Sequence, residues 1–372
     1  MLKSARTLLV IFVAALITMA AGCSKDDNPV DTLPVSTRPY KMGFSFFPTL
    51  YQSADPNQFL TNFNARADLI TIHWSGDVPW RLLDICPDLD NCTPVGDTTL
   101  LAISNELQLA VNGLQTYTSA FKTAANKRVY LAMSPLSNER DSVSYLYGGH
   151  ESPPPANNFA DADVRANYKA FVNYMIDKFQ PDYFSQSIET NMYINHNRPD
   201  YPNLISLLAE IKAELAISHP NLLVAPTIQW EFYRDSWLDP AEMPLLDSMM
   251  NHWADLGDFY PFSTYPNIKL NIGSVDSTLY EFDQFGIDLD ASSKVMISEC
   301  GVQPNLQAEM LRLLSDLLQQ HDPIALDYFF LEDMDHLSFP PSFVNVGLYN
   351  DINSPTLTPH PGLAVWDSLF AE

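Results

Sequence analysis

The sequence predicts a single-domain (β/α)8 barrel from three observations: eight short apolar or β-branched runs, helical segments between them, and a length suited to one barrel with long loops. The chain has 372 residues, and decorated barrels commonly run from about 250 to over 400. Strands alternating with helices form a parallel sheet covered by helices. Eight strand-helix units mean a closed barrel rather than an open, doubly wound sheet. No Gly-x-Gly-x-x-Gly turn follows the first run, which argues against a dinucleotide-binding sheet. No repeat of 20 to 50 residues recurs, so solenoids and propellers are unsupported.

The predicted strands are Lys41 to Phe47, Ala67 to Trp74, Arg128 to Ser134, Asp182 to Glu189, Leu222 to Gln229, Asp258 to Tyr265, Lys294 to Glu299 and Ile324 to Leu331. The predicted helices are Pro56 to Ala65, Ile103 to Ala125, Asp163 to Phe179, Leu204 to Ser218, Pro240 to Trp253, Ser277 to Phe285, Leu306 to Gln320 and Gly362 to Phe370. The helix from Leu306 shows its period plainly, with Leu306, Met310, Leu313, Leu314 and Leu317 on one face. Two long connections, Ser75 to Leu101 and Pro135 to Asp161, follow strands and so wall the C-terminal face of the barrel, where such folds build their sites.

Residues 1–22 read as a lipoprotein signal: Lys3 and Arg6 give a positive start, and Leu8 to Ala21 is an apolar run too short to span a bilayer comfortably. The run ends in Ala20-Ala21-Gly22-Cys23, which resembles the bacterial lipobox, with Cys23 as the lipidated residue. Residues 23–38, with Lys25, Asp26, Asp27, Asn28, Pro29, Asp31 and Pro34, have no apolar period and form a tether that holds the barrel, 39–372, off a membrane. The expected location is the bacterial cell envelope.

A composition of 46% hydrophobic and 12% aromatic residues supplies a large core. The charge is lopsided, with 20 Lys+Arg against 45 Asp+Glu and a net of -25. So acidic a surface repels phosphate backbones, which argues against nucleic acid as a partner. Cys86 and Cys92 flank a short polar stretch and are expected to close a loop disulfide in an oxidising compartment, with Cys300 left as a buried thiol. The histidines are scattered, without His-Glu-x-x-His spacing, and no Gly-x-Ser-x-Gly elbow or phosphate loop occurs. No metal or other cofactor is expected, and a barrel of this size can bury its core as a monomer.

Two glutamates stand at strand ends, where a barrel carries its chemistry. Glu189 ends the fourth run and Glu299 the seventh. Period-two alternation groups Glu189 with Ser187 and Ser185, and Glu299 with Ile297 and Val295; inward faces would make the carboxylates converge across the mouth. Paired carboxylates suit glycoside hydrolysis, because one must be ionised to attack the anomeric carbon while the other must hold a proton for the departing oxygen.

Ile297-Ser298-Glu299-Cys300-Gly301, Phe262-Ser263-Thr264-Tyr265-Pro266, and Gly347-Leu348-Tyr349-Asn350 followed by Pro355, Pro359 and Trp366 resemble clan A of the retaining (β/α)8 glycoside hydrolases. The resemblance covers Lys41 to Glu372. It implies Glu299 as nucleophile, Glu189 as acid/base, and Tyr265 as the tyrosine that hydrogen-bonds the nucleophile. The wording around the sixth and seventh strands is most similar to endo-β-1,4-galactanases, which implies a β-linked polysaccharide as substrate. Two positions depart from the clan: Ile188 stands where Asn usually precedes the acid/base, leaving open whether Asn191, two residues past Glu189, substitutes, and Phe329-Phe330-Leu331-Glu332-Asp333 lacks the strand-eight Trp. Those departures keep open a barrel that binds carbohydrate without cutting it. His73 and Trp74, with Trp230, Glu231 and Tyr233, are the expected sugar-contacting residues, and Glu231 is a second candidate for the acid/base.

Overall fold

The computed structural model describes residues 38–46, 56–74, 78–86, 88–123, 127–266, 275, 277–331, 346–349 and 358–372. The expected signal, Cys23 and all of the tether before Arg38 lie outside the described residues, as do Glu332, Asp333, Asn350 and Pro355.

The barrel strands are Lys41–Phe46, Leu69–Trp74, Arg128–Met133, Tyr183–Ser185, a fifth in two pieces (Leu223–Val224 and Ile228–Gln229), Tyr260–Thr264, Lys294–Cys300 and Asp322–Tyr328. All pair in parallel around the ring. The fifth strand closes it: Leu223 and Val224 pair with Tyr183 and Phe184, whereas Ile228 and Gln229 pair with Phe262 and Ser263. Pro226 sits between the pieces and cannot donate to the ladder. Its neighbours still do, Ala225 N to Phe184 O at 3.0 Å and Thr227 N to Ser187 O at 2.9 Å.

Helices pack on the outside. The one expected from Leu306 forms as Gln307–Leu318 and buries Met310, Leu311, Leu314, Leu317 and Leu318. The last helix, Pro361–Ala371, brings fully buried Trp366 to 4.6 Å from Phe44 on the first strand. Three expectations need correction. The fourth strand stops at Ser185 rather than Glu189; Trp230–Leu238 is a helix that the sequence did not signal; and the stretch from Ser277 to Phe285 forms two 3-10 turns, Ser277–Tyr280 and Phe282–Phe285, instead of one helix. Cys86 and Cys92 are joined in a disulfide, and Cys300 is a buried free thiol.

At the end of the barrel away from the expected site, Arg38 locks the start of the domain to its finish. Its guanidinium donates to Asp68 Oδ2 at 2.8 Å and to the carbonyls of Leu369 and Phe370, while Asp68 Oδ1 accepts from Met42 N at 2.6 Å. Both side chains of the pair are buried. Asp68→Ala leaves the guanidinium without its counter-charge, and a loss of about 3–5 kcal/mol is expected. Urea denaturation checks this; a loss under about 1 kcal/mol would mean that Arg38 finds another acceptor.

Candidate active site

Glu299 is held from two sides. It lies in the seventh strand with 4% of its surface exposed; His73 Nε2 is 2.6 Å from its Oε1, and Tyr265 Oη donates to its Oε2 at 2.9 Å. The pairing with the sixth strand skips between Ile297 and Glu299, a bulge at Ser298. An extra residue of this kind turns the side chains that follow it, so strict alternation with Ile297 and Val295 does not describe how Glu299 is aimed. Burial, and the negative charges of Glu299 and Glu189, push the Tyr265 hydroxyl well above its ordinary range, so it remains a proton donor. Phe329 meets both donors edge-on, with ring centres 5.7 Å from His73 and 5.5 Å from Tyr265, and so fixes their rings against the carboxylate.

Glu189 reaches the mouth by a different route. It follows the end of the fourth strand in a left-handed conformation, φ 53° and ψ 44°, with its backbone N donating to Thr227 Oγ1 at 2.6 Å. Left-handed backbone is uncommon for a residue with a side chain. Ser263 Oγ donates to Glu189 Oε1 at 2.8 Å, and Arg140 Nη2 lies 3.2 Å from Oε2. Burial pushes the Glu189 carboxyl above its ordinary range; the Arg140 guanidinium opposes the rise and the charge of Glu299 adds to it.

The sixth strand ties the carboxylates together. Ser263, Thr264 and Tyr265 are consecutive, and their hydroxyls donate to Glu189, Glu231 and Glu299 respectively. Ser263 is also the in-register partner of Glu299. One serine therefore sits beside the backbone of one glutamate and binds the side chain of the other.

Other expected residues lie elsewhere. Glu231 is buried behind the site, where it accepts from Thr264 Oγ1 at 2.6 Å, Gln229 Nε2 at 2.7 Å and Tyr265 N at 3.1 Å. Burial raises its carboxyl and these hydrogen bonds resist the rise. It braces Tyr265 instead of facing a ligand. Trp230 is fully buried, stacked on Tyr233 and edge-on to Phe282, with its indole N–H donating to Leu279 O at 2.6 Å. No face is left for a sugar ring, and Tyr233 is equally buried. Asn191 spends both ends of its amide on the Gln229 backbone, at 3.0 and 2.8 Å, and so is no substitute for an Asn before the acid/base. Trp74 is 5% exposed and packs near Tyr147 and Phe171.

Arg140, Ser263 and Phe329 were not singled out from the sequence. Arg140 had a signal: it is the one Arg or Lys between Pro135 and Asp161, in a loop already expected to wall the site of an acidic chain. Ser263 sat unread beside Tyr265, since a serine in a strand carries no mark of its partner.

No known family's sequence profile matches the chain, and no curated protein is significantly similar to it. Its fold is similar to those of several solved structures. A GH5_18 from Bifidobacterium longum subsp. longum is 13% identical, covering 89% of this chain and 78% of that one, with a TM-score of 0.59. The β-glycosidase from the hyperthermophile Thermosphaera aggregans is 11% identical, with coverage of 90% and 96% and a TM-score of 0.54. Native xylanase 10B from Thermotoga maritima is 10% identical, with coverage of 90% and 98% and a TM-score of 0.53. At such identities the likeness is one of fold. The chain is a (β/α)8 barrel with two glutamates at its mouth.

Proposed function

We propose that the protein is a retaining glycoside hydrolase acting on a β-linked polysaccharide, with Glu299 as nucleophile and Glu189 as acid/base. The observation that carries this reading is the pair of glutamates in unlike settings, one accepting from His73 and Tyr265, the other half-buried beside Arg140 and Ser263. Glu299 attacks the anomeric carbon as the glycosidic C–O bond breaks, and Glu189 gives its proton to the departing oxygen. Water, losing a proton to Glu189, then cleaves the glycosyl ester and frees Glu299. Retention requires carboxyl groups about 5 to 5.5 Å apart, and inversion roughly 6.5 to 9.5 Å. That Ser263, in register with Glu299, also reaches Glu189 favours the shorter gap, since adjacent strands lie only about 4.8 Å apart.

The wording of the sixth and seventh strands supports an endo-acting enzyme with a galactan-like substrate, and the run ending at Cys23 supports anchoring by lipid in the cell envelope. Among the similar folds, two are named as a β-glycosidase and a xylanase. The test is release of reducing sugar by the purified protein from β-galactan, arabinogalactan, β-mannan, β-glucan and xylan. Cleavage of one of them names the substrate. A second reading, a carbohydrate-binding lipoprotein without turnover, is favoured by Ile188, by an Asn191 committed to the backbone, and by the ion pair on Glu189. A protein that binds one of these glycans and cuts none would establish that reading.

A further inference from the structure

Among the described residues three that are not glycine have positive φ: Arg140 at 59°, Gln180 at 45° and Glu189 at 53°. Gln180 closes the helix Ala162–Phe179, where left-handed backbone is ordinary. Arg140 and Glu189 close no regular helix of that kind, and they are paired with each other. Residues held in such conformations persist only where their surroundings over-determine them, and they gather at functional sites. The pair is enclosed, with side-chain exposures of 6% for Arg140 and 14% for Glu189. Arg140 is itself anchored, its Nη1 donating to Ser137 O at 3.0 Å and Asn138 O at 3.2 Å. An anchored guanidinium at 3.2 Å from a carboxylate is a fixed charge, since arginine stays protonated throughout the working range of pH.

We propose that Arg140 is a positioning residue that pins the Glu189 carboxylate and sets how tightly this group holds its proton; its role in turnover rests on the reading of Glu189 as acid/base. The charged and titratable groups facing Glu189 are Arg140 from the loop after the third strand, His73 from the second strand, Tyr265 from the sixth and Glu299 from the seventh. Burial and the charge of Glu299 raise the Glu189 carboxyl above its ordinary range, whereas the Arg140 guanidinium opposes the rise. When Glu299 becomes an ester its charge disappears and that of Arg140 remains. The balance then tips toward an ionised Glu189, the base required for the second step.

The test titrates the Glu189 carboxyl by 13C NMR in the full-length protein, the resonance assigned with Glu189→Gln. In Arg140→Gln the midpoint is expected to rise by about one pH unit or more, the size expected when an adjacent opposite charge is removed. Arg140→Met, which keeps the apolar stem, should give the same rise if Arg140→Gln folds poorly. Arg140→Lys, which keeps the charge, should stay near the wild type. An unchanged midpoint in both neutral variants overturns the proposal. On a cleaved glycan, the alkaline limb of kcat/KM should move up with the midpoint; lower kcat with a stationary limb would mean a merely structural arginine. A wild type that cleaves nothing overturns the hydrolase reading, and the titration still decides Arg140.

Discussion

Glu299→Gln is expected to lower kcat on any cleaved glycan by about 10^4- to 10^6-fold while leaving the fold intact, the scale seen when an enzyme loses its nucleophile. Gln keeps a carbonyl oxygen that accepts from Tyr265 Oη, and its amide N–H can donate to the His73 ring in the tautomer that accepts. The local packing therefore has no cause to change, and melting temperature should stay within a few degrees. Glu189→Gln should act differently, because a general acid contributes about 10^2- to 10^4-fold and only where the leaving group needs a proton. With an aryl glycoside whose phenol leaves unaided, formation of the glycosyl-enzyme should be nearly unimpaired in Glu189→Gln and still abolished in Glu299→Gln. A Glu299→Gln protein retaining a tenth of wild-type turnover sinks the nucleophile assignment. Equal losses on activated and unactivated substrates in Glu189→Gln sink the acid assignment.

The parts of this site that were legible are those whose position follows from a regular strand. Glu299 was legible as the close of an apolar run from Val295, and Tyr265 through the resemblance carried by Phe262-Ser263-Thr264-Tyr265-Pro266 at the end of the sixth strand. Glu189 was found by the same reasoning for a different reason than the one that places it: its strand stops four residues earlier, and a left-handed turn carries it to the mouth. Trp230 and Glu231 went astray because the chain changes from strand to helix at Gln229, whose side-chain Oε1 accepts from Phe232 N at 2.7 Å. Glutamine is not among the preferred N-caps, so nothing announced a helix there. Once Trp230 begins a helix, its ring turns into the cluster of Tyr233, Phe262 and Phe282 instead of over the mouth. Arg140 depends on tertiary contact with residues far away in sequence, which no local period encodes.

Asp327→Asn is expected to change how stability depends on pH, because the barrel beneath Glu299 is polar where such barrels usually pack Val, Ile and Leu. Ser45, Thr71 and Tyr130 lie side by side in register, and Asp327 enters from the eighth strand, fully buried, accepting from Ser45 Oγ at 2.7 Å. Its other oxygen and the hydroxyls of Thr71, Tyr130 and Ser298 make no hydrogen bond of good geometry. An ionised carboxylate buried away from bulk water there is costly. Burial accordingly pushes Asp327 well above the carboxylate range, the hydroxyls of Ser45 and Thr71 resisting and the charge of Glu299 adding to the rise. The folded chain thus keeps a proton that the unfolded chain releases above about pH 3.9. Raising the pH from there favours unfolding by about 1.4 kcal/mol per unit until the folded group also ionises. The stabilisation is complete below the unfolded value and is lost as pH rises through the folded one. Asn carries no proton to lose, its oxygen can accept from Ser45 and its N–H2 can meet Thr71, so the variant should escape this slope. Urea unfolding from pH 4 to 7 should show Asp327→Asn gaining on the wild type with each unit, at up to that slope. Parallel stability curves would mean that Asp327 ionises in the folded barrel.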